Sequence, residues 1–490
     1  MQKKIEVQHG IANGKSFFDF GKSAFGTLEV ELTDHGDHLV EIVIGEACHG
    51  DSILHEHGWR TFQLNRFTLK DGTHTYRFEI PPFVSAYGQF NYVPTPKECG
   101  GEIAPFRYVE VNHYFGPVTV RRTVWHDDWD DGASGFESSD PMLDKIWEFC
   151  KYSIKATNVF GLYIDGDRER RPYEGDAYIN QLGHFCCDAN YTVARDTIGY
   201  FEDHPTWPTE WQLLTPVLAR DYWLYSGDRA SVDRWLEWLP GRLLPQCEVK
   251  NGLVRGRDGI RDIIDWPESE RDGYRFGEVN FVPNAYRVGG MNAMCELTGD
   301  GRYRAEAERL KKALRESMWT GDLPEDSPGA GHTSLHTAVF AVRFGIAEPA
   351  EYGKLADFII SRQLQCSVYG VQYCLEVCAM CGKDQYLLEC LTGSGLRSWN
   401  HMLTLGSTIT TEGWDDQIKP YMDWTHAWGA APANLIPRWV AGIRPVRPGF
   451  EEYVLDPHPG GLEYFRYRQP TPSGPIDVIW ENGKIRAERG

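Results

Sequence analysis

The sequence predicts a multidomain protein with a β-sandwich first, a long helical domain next and a short β segment last. Three observations lead there. At 490 residues the chain exceeds what one small core supports, and two or three domains are expected. Apolar and polar residues alternate up to about residue 125 and again near the end. Between those stretches the apolar spacing is helical. The boundaries read as 1–128, 129–442 and 443–490.

The first domain rests on Leu28-Glu-Val-Glu-Leu32, His38-Leu-Val-Glu-Ile-Val-Ile44, Thr75-Tyr-Arg-Phe-Glu-Ile80, Arg107-Tyr-Val-Glu-Val111 and Val118-Thr-Val-Arg-Arg-Thr-Val124. Each alternates, and turns rich in Gly, Asp, His and Pro separate them, as in a sandwich. The pattern changes near Trp125-His-Asp-Asp-Trp-Asp-Asp-Gly132. Ser139 or Asp140 then offers an N-cap ahead of Leu143, Ile146 and Trp147. Helices are expected over roughly 141–158, 175–200, 209–227, 229–240, 283–298, 301–318, 333–344, 348–363, 384–393 and 426–441. About a dozen helices suit a ring of helical hairpins, although periodicity does not separate a ring from another all-α array. Glu452-Tyr-Val-Leu455, Leu462-Glu-Tyr-Phe-Arg-Tyr467 and Ile476-Asp-Val-Ile-Trp480 alternate again. They are too few for an independent core. They should pack on the helical domain or join the N-terminal sheet.

Composition narrows the function. The formal charge of −20 argues against nucleic acid and against anionic membranes, both of which need a basic footprint. No apolar run approaches a membrane span, and the polar start Met1-Gln-Lys-Lys-Ile-Glu lacks a signal peptide's apolar core. A cytoplasmic protein is therefore expected. The twelve cysteines sit largely on apolar patterns, which fits reduced thiols rather than a disulfide framework. Cys374, Cys378 and Cys381 have the spacing of an iron–sulfur ligand set. The same spacing lines one helix face, and nothing before Gly382 breaks that helix, so a cluster and radical chemistry are set aside. No metal motif, dinucleotide fingerprint or Walker loop is present, and no cofactor is expected. With 17 Trp, 24 Tyr and 23 Phe, flat faces are available for a ligand that offers C–H surface beside hydroxyls, although most of these rings fill cores.

The densest chemistry lies in Tyr163-Ile-Asp-Gly-Asp-Arg-Glu-Arg-Arg-Pro-Tyr-Glu-Gly-Asp176, with five carboxylates and three guanidiniums. Gly166, Pro172 and Gly175 break any solvated helical face, so these charges meet on an irregular turn and set one another's pKa values. A second acidic segment is Thr410-Thr-Glu-Gly-Trp-Asp-Asp416. Two separated carboxylate loops in an aromatic-rich chain are what glycoside cleavage requires.

These segments resemble the α-L-rhamnosidases of glycoside hydrolase family 78. Asp165-Gly-Asp-Arg-Glu-Arg-Arg-Pro-Tyr-Glu-Gly-Asp-Ala177 is similar to a family loop reading Asp-Cys-Pro-Gln-Arg-Asp-Glu-Arg-Leu-Gly-Trp-Thr-Gly-Asp-Ala, two residues shorter. Thr408-Ile-Thr-Thr-Glu-Gly-Trp-Asp415 and His426-Ala-Trp-Gly429 also match. So do Arg438-Trp-Val-Ala-Gly-Ile-Arg-Pro-Val-Arg-Pro-Gly-Phe450 and Phe18-Asp-Phe-Gly21. The resemblance covers nearly the whole chain. It implies an (α/α)6 barrel with β-sandwich domains, here a short form with one N-terminal β-domain, and an inverting exo-acting hydrolase of terminal α-L-rhamnosides. Cys-Pro-Gln is missing after Asp165, and Tyr173 replaces a Trp, so the reaction type is more secure than the sugar.

By that resemblance Glu169 is the general acid and Glu412 the general base. The bland alternatives are salt-bridge partners, with Asp165 or Asp176 moving the proton. Asp165, Arg168, Tyr173, Asp176, Trp211, Asp265, Trp266, Trp414 and His426 form the expected substrate-binding set. Asp176 equally suits a helix cap, and each aromatic equally suits a core. Inversion would set the two catalytic carboxyls roughly 6.5–9.5 Å apart with a water between, whereas about 5 Å would indicate a covalent intermediate. The expected partner is a small rhamnosyl carbohydrate, with no nucleic acid and no membrane, and a homodimer is left open. The rival readings are an inverting glycosidase for another sugar and a catalytically silent sugar-binding protein.

Overall fold

The computed structural model describes residues 1–55, 60–85, 92–319 and 321–490. Two long strands, Gln2–His35 and Ala104–His126, run through both layers of the N-terminal domain. Residues 114–126 pair antiparallel with 2–14 on one edge and with 26–32 on the other. Glu29–His35 then takes Asp71–Arg77 as the outer strand. The chain turns a corner where Gly14 has φ +85° and His113 is an unpaired extra residue with φ +61°. Such a bulge bends a strand and lets it continue into a second layer. Past the corner, 108–112 pairs with 15–19 and with Leu39–Gly45, and Leu39–Gly45 pairs with Phe62–Thr68. The layers close on Leu28, Val30, Leu32, Val118 and Val120 from one side and Val40, Ile42, Ile44, Val109 and Val111 from the other. These are the inward members of the alternating runs.

The helical domain is an (α/α)6 barrel of six consecutive hairpins, each an outer helix followed by an inner one. The pairs are Pro141–Thr157 with Glu174–Cys187, Thr192–Tyr200 with Thr209–Ser226, and Arg229–Trp235 with Phe281–Thr298. Gly301–Met318 pairs with Leu335–Arg343, and Tyr352–Ser361 with Gly370–Met380. The last is Asp384–Thr392 with the segment Pro432–Leu435 and Ile436–Val440, which packs back on Glu174–Cys187 and closes the ring. Local chemistry explains the ends. Asp140 caps the first helix by accepting from Met142 and Leu143 N–H, with Pro141 at the first helical position. Gly227 and Gly299 end two inner helices at φ +75° and +73°. Every residue of Glu174–Cys187 is buried, as an inner helix requires.

The expected helix over 175–200 is two helices parted at 188–191. The expected helix over 426–441 is a 3-10 turn at Ala427–Gly429, a short α turn and a π turn around Pro437. Trp399–Thr404 is a further six-residue helix that the sequence reading did not anticipate. The C-terminal strands Tyr464–Gln469, Ile476–Glu481 and Lys484–Arg489 join Gly135–Ser138, not the N-terminal sheet. They pack on the helices through Tyr467, which donates to Cys186 O, and Gln469, which donates to Phe185 O. Among the described residues no helix is long and apolar enough to cross a membrane.

Candidate active site

All the connections from an outer to an inner helix lie at one end of the barrel, and they carry the predicted site. A cavity of about 430 Å³ opens there. It is lined by Asp165, Arg168, Glu169, Arg171, Tyr173 and Asp176 from the first hairpin, by Trp207 and Trp211 from the second, and by Arg261, Ile263 and Trp266 from the third. Glu412, His426 and Trp428 from the sixth complete it. The two acidic segments, far apart in sequence, therefore face one space.

Their approach depends on Gly166. A Cβ there would run into Asp423 Oδ2 and come within 3.0 Å of His426 Nδ1. The bare backbone lets Arg168 N donate to Asp423 Oδ2 at 2.9 Å. Asp423 in turn exchanges backbone bonds with Glu412: Glu412 N donates to Asp423 O (2.9 Å), and Asp423 N donates to Glu412 Oε2 (3.0 Å). The Glu412 Oε1 atom accepts from Arg168 Nη2 at 2.5 Å and pairs with Lys419 Nζ at 2.9 Å. Burial alone would raise this carboxyl's pKa, but the charges of Arg168, His426 and Lys419 outweigh it and hold it below the usual value. Glu412 is thus kept ionised.

Glu169 Oε1 accepts from the same Arg168 Nη2 at 3.3 Å, and Tyr173 OH donates to Glu169 Oε2 at 2.7 Å. Since one nitrogen touches both carboxylates, their Oε1 atoms are at most about 6 Å apart, and the two groups face each other across Arg168. The two Oε2 atoms are bound separately, to Tyr173 and to Asp423 N–H. Deeper in the cavity, Asp165 accepts from Arg171 N at 2.9 Å, and Asp176 pairs with His426 Nε2 at 2.9 Å. Burial, then the nearby Glu169 and Asp176, push the Asp165 carboxyl well above the ordinary range. Burial raises Asp176 too, partly offset by His426. Asp176 lies in the first turn of its helix and bonds across the cavity rather than capping.

Two predicted ligands fall outside the lining. Trp414 is fully buried, donates to Cys366 O at 2.8 Å and packs edge-on against Trp399. It supports the Glu412 loop from behind. Asp265 is buried against His336 Nε2 (2.7 Å) and Ser367 N (2.9 Å), so its oxygens serve neighbouring loops and only its neighbour Trp266 reaches the cavity. The sequence reading missed Arg171, Trp207, Arg261, Ile263 and Trp428. Trp428 donates to Glu412 O at 3.0 Å, and its place two residues after His426 in a matched motif was an available signal.

The N-terminal sandwich buttresses both acidic loops. Arg170 leaves the cavity to pair with Glu102 (2.7 Å) and Asp167 (2.9 Å) and to donate to Ile103 O (2.8 Å). Glu46 accepts from Thr425 Oγ1 (2.6 Å), Ser23 Oγ (3.1 Å) and Thr61 N (2.9 Å). Burial pushes its carboxyl up to about 8. Among the described residues no group of three or more metal-binding side chains converges. Cys374 and Cys378 are buried on one helix, with Cys381 at its end.

A ring of six helical hairpins with opposed carboxylates at the loop end defines a six-hairpin glycosidase domain. The chain belongs to the bacterial α-L-rhamnosidase family: the family's six-hairpin glycosidase domain matches residues 131–440 and its C-terminal domain matches 442–488. An α-L-rhamnosidase of Alteromonas sp. (strain LOR) is 23% identical over 529 residues, covering 96% of this chain and 54% of the relative. The chain thus spans about half the length of that curated relative. Among solved structures, the family 78 rhamnosidase of Bacillus sp. GL1 superposes with a TM-score of 0.77 at 16% identity, over 97% of this chain and 52% of that one. The Streptomyces avermitilis α-L-rhamnosidase complexed with L-rhamnose gives 0.76 at 17%, over 98% and 48%. At such identities the likeness shows the fold.

Proposed function

We propose that the protein is an exo-acting glycosidase that hydrolyses terminal α-L-rhamnosides with inversion. The observation that carries this is the convergence of Glu169 and Glu412 on Arg168 inside one cavity whose floor holds Asp165 and Asp176. Family membership and the rhamnose named for the Streptomyces structure support the choice of sugar. In this reading Glu412 takes a proton from a water whose oxygen attacks the anomeric carbon. Glu169 gives its proton to the glycosidic oxygen as the carbon–oxygen bond breaks, so free sugar and free alcohol leave. The ionised state of Glu412 suits the base role. Asp165 and Asp176 accept bonds from sugar hydroxyls, and Trp211, Tyr173 and Trp266 wall the ring.

Arg168 bonds both Oε1 atoms, so inversion calls for that side chain to yield the gap when sugar and water enter. Retention, with Glu412 as nucleophile, is the second reading. Proton NMR of the first-formed sugar from an aryl α-L-rhamnoside separates them. Initial β-rhamnose supports inversion, and initial α-rhamnose overturns it. Release of no rhamnose overturns the reading altogether and leaves a silent sugar-binding protein or a glycosidase for another sugar.

A further inference from the structure

The cavity is graded in charge from floor to mouth. Its floor is buried and carboxylate-rich, with Asp165, Asp176 and Glu412. Its mouth is aromatic and cationic. Arg261 is exposed there, with its guanidinium 4.5 Å over the Trp207 ring. Arg171 lies 5.1 Å over Tyr173, and Trp266 is exposed at the rim.

Arg261 is held for a purpose that its own neighbours do not use. Its backbone is pinned: Arg261 N donates to Trp207 O (3.1 Å), and Thr209 N donates to Arg261 O (3.0 Å). The adjacent carboxylate, Asp262, accepts from Asn280 Nδ2 at 2.7 Å. No carboxylate among the described residues forms a salt bridge with Arg261. A guanidinium held over an indole, with no salt bridge among the described residues, offers N–H groups that match the paired oxygens of a carboxylate or sulfate.

We infer that Arg261, with Trp207, forms a subsite for an acidic sugar unit, so that the preferred substrate is a terminal rhamnose attached to a uronate or a sulfated sugar. This rests on the proposed reaction for one reason only: an exo-acting enzyme places the terminal sugar on the floor and the next unit at the mouth. The floor's cations, Arg168, Lys419 and His426, are already engaged by Glu412 and Asp176, so an anionic unit finds its partner at the rim rather than below.

The test uses three rhamnosyl disaccharides of one linkage, ending in glucose, glucuronate or glucose 6-sulfate. Wild type, Arg261→Gln and Arg261→Ala are compared by kcat/KM, and the acidic-to-neutral ratio is read within each variant so that a general loss cancels. Wild type should favour at least one acidic disaccharide by about tenfold, with the preference fading as salt is raised, and both variants should fall to a ratio near one. The uronate and sulfate arms tell which anion is meant. A wild-type ratio near one, or a ratio unchanged by loss of Arg261, overturns the inference. Calorimetric binding of the same disaccharides runs in parallel. Arg261-dependent binding of the acidic compounds without turnover of any of them would keep the subsite and sink the hydrolytic reading instead.

Discussion

Arg168 Nη2 lies 2.5 Å from Glu412 Oε1, joining side chains 244 positions apart in sequence. The bond ties the first hairpin's loop to the sixth hairpin's loop, and its charge is the main force opposing burial at Glu412. Replacing Arg168 with Met should let burial lift the Glu412 carboxyl, with His426 and Lys419 still opposing it. The acidic limb of the kcat/KM profile should then move to higher pH, and activity should fall roughly 10–100-fold. A pH–rate profile whose acidic limb does not move would separate Arg168 from Glu412's ionisation.

Glu169→Gln and Glu412→Gln should lose on the order of 10²–10⁴ in kcat, but not in the same way. Loss of an acid matters least when the leaving group departs unaided. Glu169→Gln should therefore retain far more activity on a dinitrophenyl rhamnoside than on an alkyl one, whereas Glu412→Gln should lose both equally. Asp165, whose burial favours a proton, is the rival acid. If Asp165→Asn rather than Glu169→Gln shows the leaving-group dependence, the roles are exchanged.

Much of the fold was legible because its ends carry local chemistry. Gly301–Met318 begins after Asp300 and ends where the apolar stripe ends, as its spacing predicts. The break at 188–191 was invisible because no Gly or Pro marks it, and Trp399–Thr404 is too short to establish a period. Phe62–Thr68 is short, and its apolar residues Phe62, Leu64 and Phe67 break strict alternation and stay only half-buried. At the site, Asp165, Arg168, Glu169, Tyr173 and Asp176 of the charged motif line the cavity. Arg261 and Trp207 are brought there only by ring closure, which no local pattern encodes. Trp414 and Asp265 mislead for the converse reason. Asp265 points away where its neighbour Trp266 points in, and Trp414, two residues past Glu412, turns back onto Cys366 and Trp399.

Glu46 offers a test of the sandwich's contribution to the site. Its carboxyl titrates near 8 when folded against 4.5 as the ordinary value, because it is buried. The unfolded chain therefore releases that proton first, and stability falls as pH rises from 4.5 toward 8. Glu46→Gln should flatten that decline by about 3–4 kcal/mol in denaturant titrations at pH 8 relative to pH 5. Glu46→Ala leaves Thr425 Oγ1 and Thr61 N without their acceptor and should lower kcat as well.

Glu376 joins Arg343 (2.7 Å) and Arg438 (2.5 Å) beneath the barrel floor. Burial opposes its charge, but the two guanidiniums outweigh that and hold the carboxyl at about 2. Its contribution is present above pH 4.5 and is lost as pH falls toward 2. Glu376→Gln should cost about 3–5 kcal/mol at pH 7, because two buried cations lose their counterion. A thermal midpoint within a degree of wild type would show that the pair relaxes into solvent.

The six hairpins are joined unequally. At the end away from the cavity the links 227–228 and 299–300 are two residues each, while 236–280 and 393–431 traverse the opposite rim. Taut links preserve the alignment of the frame, and slack ones tolerate insertion and exchange. Ligand preference can thus change through 236–280, which brings Arg261 and Trp266 to the rim, while 393–431 has to keep Glu412 and the buried tryptophans behind it.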